Sequence, residues 1–157
     1  HPVTDGRFRL DGGAMFGVVP KTLWERCCPA DEHNRIPLSL TCLLIKAHGK
    51  NVLVDTGLGD KEDAKFHSIF AVERTPTLSE SLAQQGLSHA DIHLVVNTPI
   101  GKDSTTDDSY IRKAAIKHRI PYITTTVAAV AAAKGIAAWR DESGGVKSLQ
   151  EYHRDIG

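Results

Sequence analysis

Long apolar runs are absent from this chain of 157 residues. The two most apolar patches, Leu43 to Ile45 and Val127 to Ala133, fall far short of the ~20 residues that cross a bilayer. The sequence therefore predicts neither a membrane span nor a signal peptide. Charge of one sign is also missing. Lys plus Arg number 19 and Asp plus Glu number 19, a formal balance of zero. That balance argues against a nucleic-acid partner and against an anionic membrane surface. Cysteine is scarce: there are three, Cys27, Cys28 and Cys42, two of them adjacent. An odd number with that spacing does not make a disulfide framework, and no matching CxxC or HxxxH accompanies the pair to complete a zinc site. The expectation is a cytoplasmic protein with reduced thiols. Internal repeats and low-complexity tracts are missing too, beyond a run of alanines. The chain opens on His1 rather than Met, so a trimmed or excised segment is expected.

What is present suits one ordinary α/β domain. Residues 7–19 mix apolar positions with Gly12, Gly13 and Gly17, and predict a strand, a glycine turn and a second short strand. A short helix or irregular loop follows over 21–28, then a polar loop bounded by Pro29 and Pro37. Ser39 to Ala47 and Asn51 to Asp55 predict a β-hairpin turning at His48 to Lys50, followed by a glycine-rich turn over 56–59. Thr77-Leu-Ser-Glu80 has the spacing of a capping box, for a helix that stops at Gly86. Ile92 to Asn97 predicts a buried strand. Asp107 or Asp108 caps the next helix, whose apolar positions are Ile111, Ala115 and Ile116 and whose end is Arg119 to Pro121. Tyr122 to Thr124 is a strand. Thr125 or Thr126 caps an alanine-rich helix ending near Gly135. A turn at 141–145, an extended piece at 146–148 and a last helical turn over 149–154 complete the chain.

Several stretches carry a first resemblance. Leu10-Asp-Gly-Gly-Ala-Met-Phe16, Val19-Pro-Lys21, Pro29-Ala-Asp-Glu32, Asn34-Arg-Ile-Pro-Leu38 and Asn51-Val-Leu-Val-Asp-Thr-Gly57 occur in this order. Residues 8–98 thereby resemble the N-terminal half of a metallo-β-lactamase-fold hydrolase of the lactonase-like branch. That family implies a Thr-His-x-His-x-Asp-His loop after the next strand, where imidazoles and a carboxylate hold two zinc ions. This chain has Val95-Val-Asn-Thr98 and then Pro99-Ile-Gly-Lys-Asp-Ser104, without those ligands. Of the eight histidines only His89 and His93 have HxxxH spacing, and that pair spans a turn into a strand. Zinc is accordingly not expected, nor any other cofactor. Asp55, whose family counterpart lies beside the metals, is read as a strand-end residue.

A second set of stretches overlaps the first at the same strand. Val96-Asn-Thr-Pro99, Gly101-Lys102, Ser104, Asp107-Asp108, Ile111-Arg-Lys-Ala-Ala-Ile116, Ile120-Pro-Tyr-Ile-Thr-Thr125 and Val146-Lys-Ser-Leu-Gln-Glu-Tyr-His153 follow in order. Residues 94–157 thereby resemble the C-terminal half of the methylglyoxal-synthase-like regulatory domain of the carbamoyl-phosphate synthetase large chain. The resemblance implies a small anionic or nucleotide effector bound at the carboxyl ends of a parallel sheet. It implies Asn97 as an effector contact, with Thr98 and Lys102 as helpers on the same loop. Read from the residues alone, Asn97 to Ser104 equally suits turn chemistry before a helix. The family's lysine and threonine-glycine-threonine phosphate loop belong to its first half, and Thr56-Gly57 only echoes them.

Together these readings predict an α/β fold, with antiparallel N-terminal strands, a C-terminal parallel β-α-β portion and helices packed on one mixed sheet. They describe a single chimera-like domain over 1–157 built of two half-domains, 1–94 metallo-β-lactamase-like and 95–157 methylglyoxal-synthase-like. The expected function is a non-catalytic module with residual effector binding. The alternative is a hydrolase that has lost its metal motif. Expected partners are a small anion or nucleotide, parent-enzyme subunits, or another copy of the chain.

Overall fold

The computed structural model of the chain describes residues 1–99, 104–140 and 148–156. The expected turn at 141–145 and most of the extended piece at 146–148 lie outside them, as does Lys102. The described elements are β1 (Pro2–Asp11), α1 (Gly12–Phe16), α2 (Lys21–Trp24), β2 (Arg35–Ala47), β3 (Lys50–Val54), α3 (Ala64–Ile69), α4 (Leu78–Gln84), a 3₁₀ turn (His89–Asp91), β4 (Leu94–Val96), α5 (Ser104–His118), β5 (Tyr122–Ile123), α6 (Thr126–Arg140) and α7 (Leu149–Asp155).

Five strands form one sheet in chain order, β1-β2-β3-β4-β5. The β1–β2 and β2–β3 pairs are antiparallel, while β3–β4 and β4–β5 are parallel. This is the mixed α/β sheet that the sequence predicts. Its register decides which side chains form the core. Val3 faces Cys42, Leu44 faces Leu53, Leu53 faces Val95, and Val95 faces Tyr122. Val3, Cys42, Leu44, Leu53 and Val95, with Leu82 of α4 and Ile92, make the buried cluster, and Leu78, Leu87, Ile120 and Tyr122 pack against it.

The expected hairpin is present, with β2 starting four residues earlier than predicted, at Arg35. The Thr77 capping box is complete: the Glu80 amide donates to the Thr77 hydroxyl and the Glu80 carboxylate accepts the Thr77 amide. Three expectations change. The second short strand is replaced by α1, because the Asp11 carboxylate accepts the Ala14 amide at 2.7 Å and caps a helix there. Gly12 is required at that point, since the Trp24 ring lies where a Cβ would stand. α5 begins at Ser104, ahead of Asp107 and Asp108, so the preceding Ser-Thr-Thr run joins its first turn rather than the loop. α6 continues past Gly135 to Arg140. One glycine costs only about 1 kcal/mol against alanine, and the alanines on either side sustain the helix.

One buried charge organises the N-terminal part. Asp5 of β1 is fully buried on the core face. Its Oδ2 accepts the Leu58 amide at 3.0 Å and the Gly59 amide at 2.9 Å. Its Oδ1 accepts Arg74 Nη2 at 2.7 Å and the Leu78 amide at 2.9 Å. The last is one of the amides that the first turn of α4 leaves unpaired. A bulge between Thr4 and Arg7 frames the clamp, and Arg7 and Glu73 exchange backbone hydrogen bonds at 2.8 Å beside it. Gly6, at φ 102°, is needed there because a Cβ would strike the Glu73 carbonyl.

Burial pushes the Asp5 carboxyl up. Arg74 and the Gly59 and Leu78 amides outweigh it and hold the group below the usual carboxylate value. Its stabilising contribution is therefore fully present above about pH 4 and is lost as pH falls through the lowered native value. Asp5→Asn is expected to cost about 3 kcal/mol or more. In urea melts from about pH 7 to about pH 3, it should also lose less stability on acidification than the parent chain. Equal acid sensitivity of the two chains would count against the clamp.

Candidate functional site

The register aligns the carboxyl ends of three neighbouring strands. Val54 pairs with Val96, and Val96 with Ile123. The residues that follow these positions are Asp55-Thr56, Asn97-Thr98 and Thr124-Thr125. The ladder continues one step beyond the strands, with the Asp55 amide donating to Val96 at 2.9 Å and the Asn97 amide to Ile123 at 2.9 Å. A row of polar side chains thus lies along the edge where open α/β sheets take their ligands.

Asn97 is half-buried and its carboxamide nitrogen donates to the Tyr122 hydroxyl at 3.2 Å. Thr98 is exposed on the same loop. The structure thus brings Asn97 and Thr98 to the sheet edge, while Lys102 falls outside the described residues. Thr125 acts as a helix cap, its hydroxyl accepting the Ala128 amide at 3.1 Å.

Beside this row the 56–59 loop forms one wall of a cleft of about 580 Å³. Lys61 extends that wall, and Tyr110 and Ile111 of α5 form the other. Asn97 and Thr98 are not among its lining residues. The Tyr110 ring has Lys61 Nζ at 5.9 Å and Lys113 Nζ at 5.8 Å from its centroid, and Asp60 lines the cleft beside Lys61.

The loop amides themselves point inward. Asp55, at φ 69°, accepts the Thr56 amide at 2.6 Å and the Gly57 amide at 3.1 Å on one carboxylate oxygen. Leu58 and Gly59 donate to Asp5 as described above. Gly57, at φ 71°, cannot carry a side chain, because a Cβ would collide with Asp5. Four successive amides are therefore committed to two carboxylates, and the loop does not offer the open nest of N–H groups that holds a phosphate. Sequence reasoning missed Asp5. The available signal was an acid two residues from Val3, hence on the same face of a strand.

Among the described residues, the donors needed for a two-zinc centre do not assemble. No group of three or more His, Cys, Asp or Glu that could hold a metal occurs among the described residues. His93 Nδ1 accepts the Asn51 amide at 3.2 Å, and His89 Nε2 lies 3.3 Å from the Ser79 hydroxyl. Asp55 is occupied by its own loop. Among the described residues, the donors present do not fit the metal centre of the hydrolase family.

The family model described as the MGS-like domain matches residues 41–124, more than half of the sequence. The chain belongs to the MGS-like domain family. The matched span of this MGS-like chain begins well upstream of residue 94 and takes in most of the β2–β3 hairpin as well as β4 and β5. Among its relatives is the carbamoyl phosphate synthase large chain of Gemmatimonas aurantiaca, 38% identical over 120 residues, covering 60% of this chain and 11% of that one. The protein of the same name from Rhodopirellula baltica is 43% identical over 85 residues, covering 53% of this chain and 8% of that one. This MGS-like chain therefore spans about a tenth of the length of these relatives. It is also similar to the crystal structure of a probable metal-dependent hydrolase from Staphylococcus aureus. That match has a TM-score of 0.58 and 36% identity, covering 62% of this chain and 36% of the other.

Beneath the loop lies Cys42. Burial pushes its thiol up to about 12, and the carboxylates of Asp55 and Asp5 add to the rise. The thiolate is the reactive form, so Cys42 should be inert in the native chain. At about pH 8, a thiol reagent is expected to modify the exposed Cys27 promptly and Cys42 only after denaturant is added. Modification of Cys42 at the Cys27 rate would mean that the loop is not packed over it.

Proposed function

We propose that this chain is a non-catalytic α/β module that binds a small anionic or nucleotide effector at the loop after β4. Asn97 is the principal contact, with Thr98 and Lys102 as helpers. The observation that carries this reading is the position of Asn97-Thr98 at the carboxyl end of β4, between parallel neighbours, in an MGS-like chain with carbamoyl phosphate synthase relatives. Asn97 supplies a hydrogen-bonding carboxamide and Lys102 a charge for an anionic group. Because the 56–59 amides are engaged, side chains must do most of the holding. Lys61 adds positive charge on the neighbouring cleft. We further read the chain as two half-domains meeting at β4, 1–94 of hydrolase type and 95–157 of effector-binding type. The two kinds of strand end are compatible there, because each feeds a loop, a helix and a parallel strand.

A panel of nucleoside monophosphates and inorganic phosphate, each at millimolar concentration, tests the effector reading by melting temperature. A ligand at ten times its Kd adds about 1.4 kcal/mol, a rise of about 3–6 °C for a chain of this size. Asn97→Ala and Lys102→Ala should each remove most of that rise. No shift with any member of the panel would sink the proposal.

A second reading, a zinc hydrolase of the metallo-β-lactamase fold, draws on the likeness to a probable metal-dependent hydrolase. It requires metal in stoichiometric amount. After expression in zinc-supplemented medium, elemental analysis is expected to find well below about one zinc per chain, since three or four converging ligands are needed. A value of one or two would favour the hydrolase reading instead.

A further inference from the structure

The three cysteines divide into one sealed thiol and one adjacent pair that reaches solvent. Cys42 is buried in the core cluster. Cys27 is exposed and Cys28 half-buried, and all three are free thiols. An oxidant that reaches Cys27 therefore finds Cys28 as the neighbouring thiol, joined to it through a single peptide unit.

The local backbone sets the pair apart from an ordinary helical one. Helix α2 is a single turn, Lys21–Trp24, closed by the Glu25 amide donating to the Lys21 carbonyl at 2.9 Å. The chain stays in a turn through Cys27 and bends at Cys28. Pro29 follows, and its ring drives the preceding residue out of helical conformation. Side chains adjacent in sequence point apart on an α-helix. Cys27 and Cys28 lie beyond the end of α2, where that restriction no longer holds.

Both amides of the pair end on one acceptor. The Cys27 amide donates to the Trp24 carbonyl at 3.0 Å and the Cys28 amide to the same oxygen at 2.9 Å. Trp24 is the buried residue of α2. Its ring stacks on Phe16 of α1 with centroids 5.0 Å apart and fills the space beside Gly12. The two thiols thus sit on the backbone that anchors the side chain joining α1 to α2.

We propose that Cys27 and Cys28 are a redox modification site, a dithiol that glutathione disulfide closes to a vicinal disulfide, with release of the Cys28 amide from the Trp24 carbonyl. The Cys27 thiolate attacks one sulfur of glutathione disulfide, forming a mixed disulfide and expelling one glutathione thiolate. The Cys28 thiolate then attacks the Cys27 sulfur and expels the second glutathione. Two protein thiols are oxidised, one glutathione disulfide is reduced to two thiols, and the two protons lost by the cysteines balance the two thiolates released. The closed form is strained. Disulfide-bonded residues ordinarily have Cα atoms about 4.4–6.8 Å apart, against about 3.8 Å for sequence neighbours. Closing the ring must therefore twist the Cys27–Cys28 peptide unit, which carries the Cys28 amide. Strained, exposed disulfides are the readily reduced, regulatory ones. So short a ring also adds little of the loop-closure stabilisation of a structural bridge. The site is independent of effector binding at the β4 edge.

The test uses the full chain with Trp139→Phe, which leaves Trp24 as its single tryptophan. Trp139 is 75% exposed, so this change leaves the core intact. The chain is equilibrated with glutathione and glutathione disulfide at ratios from about ten to one to about one to ten. Under the oxidising ratio, the tryptic peptide from Cys27 to Arg35, which lacks Cys42, should lose two hydrogens, about 2 Da. Trp24 emission should shift to the red and become more accessible to acrylamide quenching, and excess glutathione should reverse both changes. Cys28→Ser should stop at one glutathionyl group on Cys27 with the emission unmoved. The proposal is overturned if the parent peptide keeps its mass, if it retains a glutathionyl group, or if two chains become linked through Cys27. A closed disulfide that leaves Trp24 emission and quenching unchanged overturns it equally.

Discussion

The N-terminal part of this fold depends on one carboxylate. Asp5 is fully buried, and a buried charge is tolerated only when its oxygens are well paired. Here each oxygen takes two donors, drawn from the loop after β3, from Arg74 and from the first turn of α4. Segments more than fifty residues apart in sequence are thereby tied to an edge strand. The core cluster packs apolar side chains against one another, but it does not fix the path of the 56–59 loop. The clamp does, and Gly57 and Gly6 are glycine because backbone must pass close to it.

The same clamp shapes the chemistry of the sheet edge. A glycine-rich turn after a strand suggests a phosphate cradle when read as sequence. In the folded chain, its amides at residues 56–59 are spent on Asp55 and Asp5. What remains at the edge is side-chain chemistry: the half-buried carboxamide of Asn97, the exposed hydroxyl of Thr98 and the ammonium groups around Tyr110. An edge of that composition presents side-chain donors in place of backbone ones.

Much of the architecture was legible in the sequence because it rests on local rules. The hairpin around His48, the capping box at Thr77 and the cap at Thr125 are each set by a few adjacent residues. The mixed sheet followed from the strand patterns. Helix α1 was missed because its cap, Asp11, also ends a strand, and glycines on either reading look like a turn. Asp5 was missed because its importance lies in distant donors that no local pattern displays. At the site, Asn97 and Thr98 were reached through family resemblance rather than spacing, and their place beside the Asp55 loop came only from the β3–β4 register. The engagement of the loop amides could not be read at all, since it depends on Asp5.

The brevity of β4 has a consequence of its own. It holds the antiparallel and the parallel parts of the sheet together through three residue pairs with β3 and two with β5. The β1–β2 ladder, by contrast, runs nearly the whole length of β1 and is reinforced by the Asp5 clamp. Cooperative opening follows the weakest seam in a structure. The backbone amides of β5 and α6 should therefore exchange with solvent through a partial opening that leaves β1–β3 closed, which makes the molecule two layers of kinetic protection on one continuous sheet.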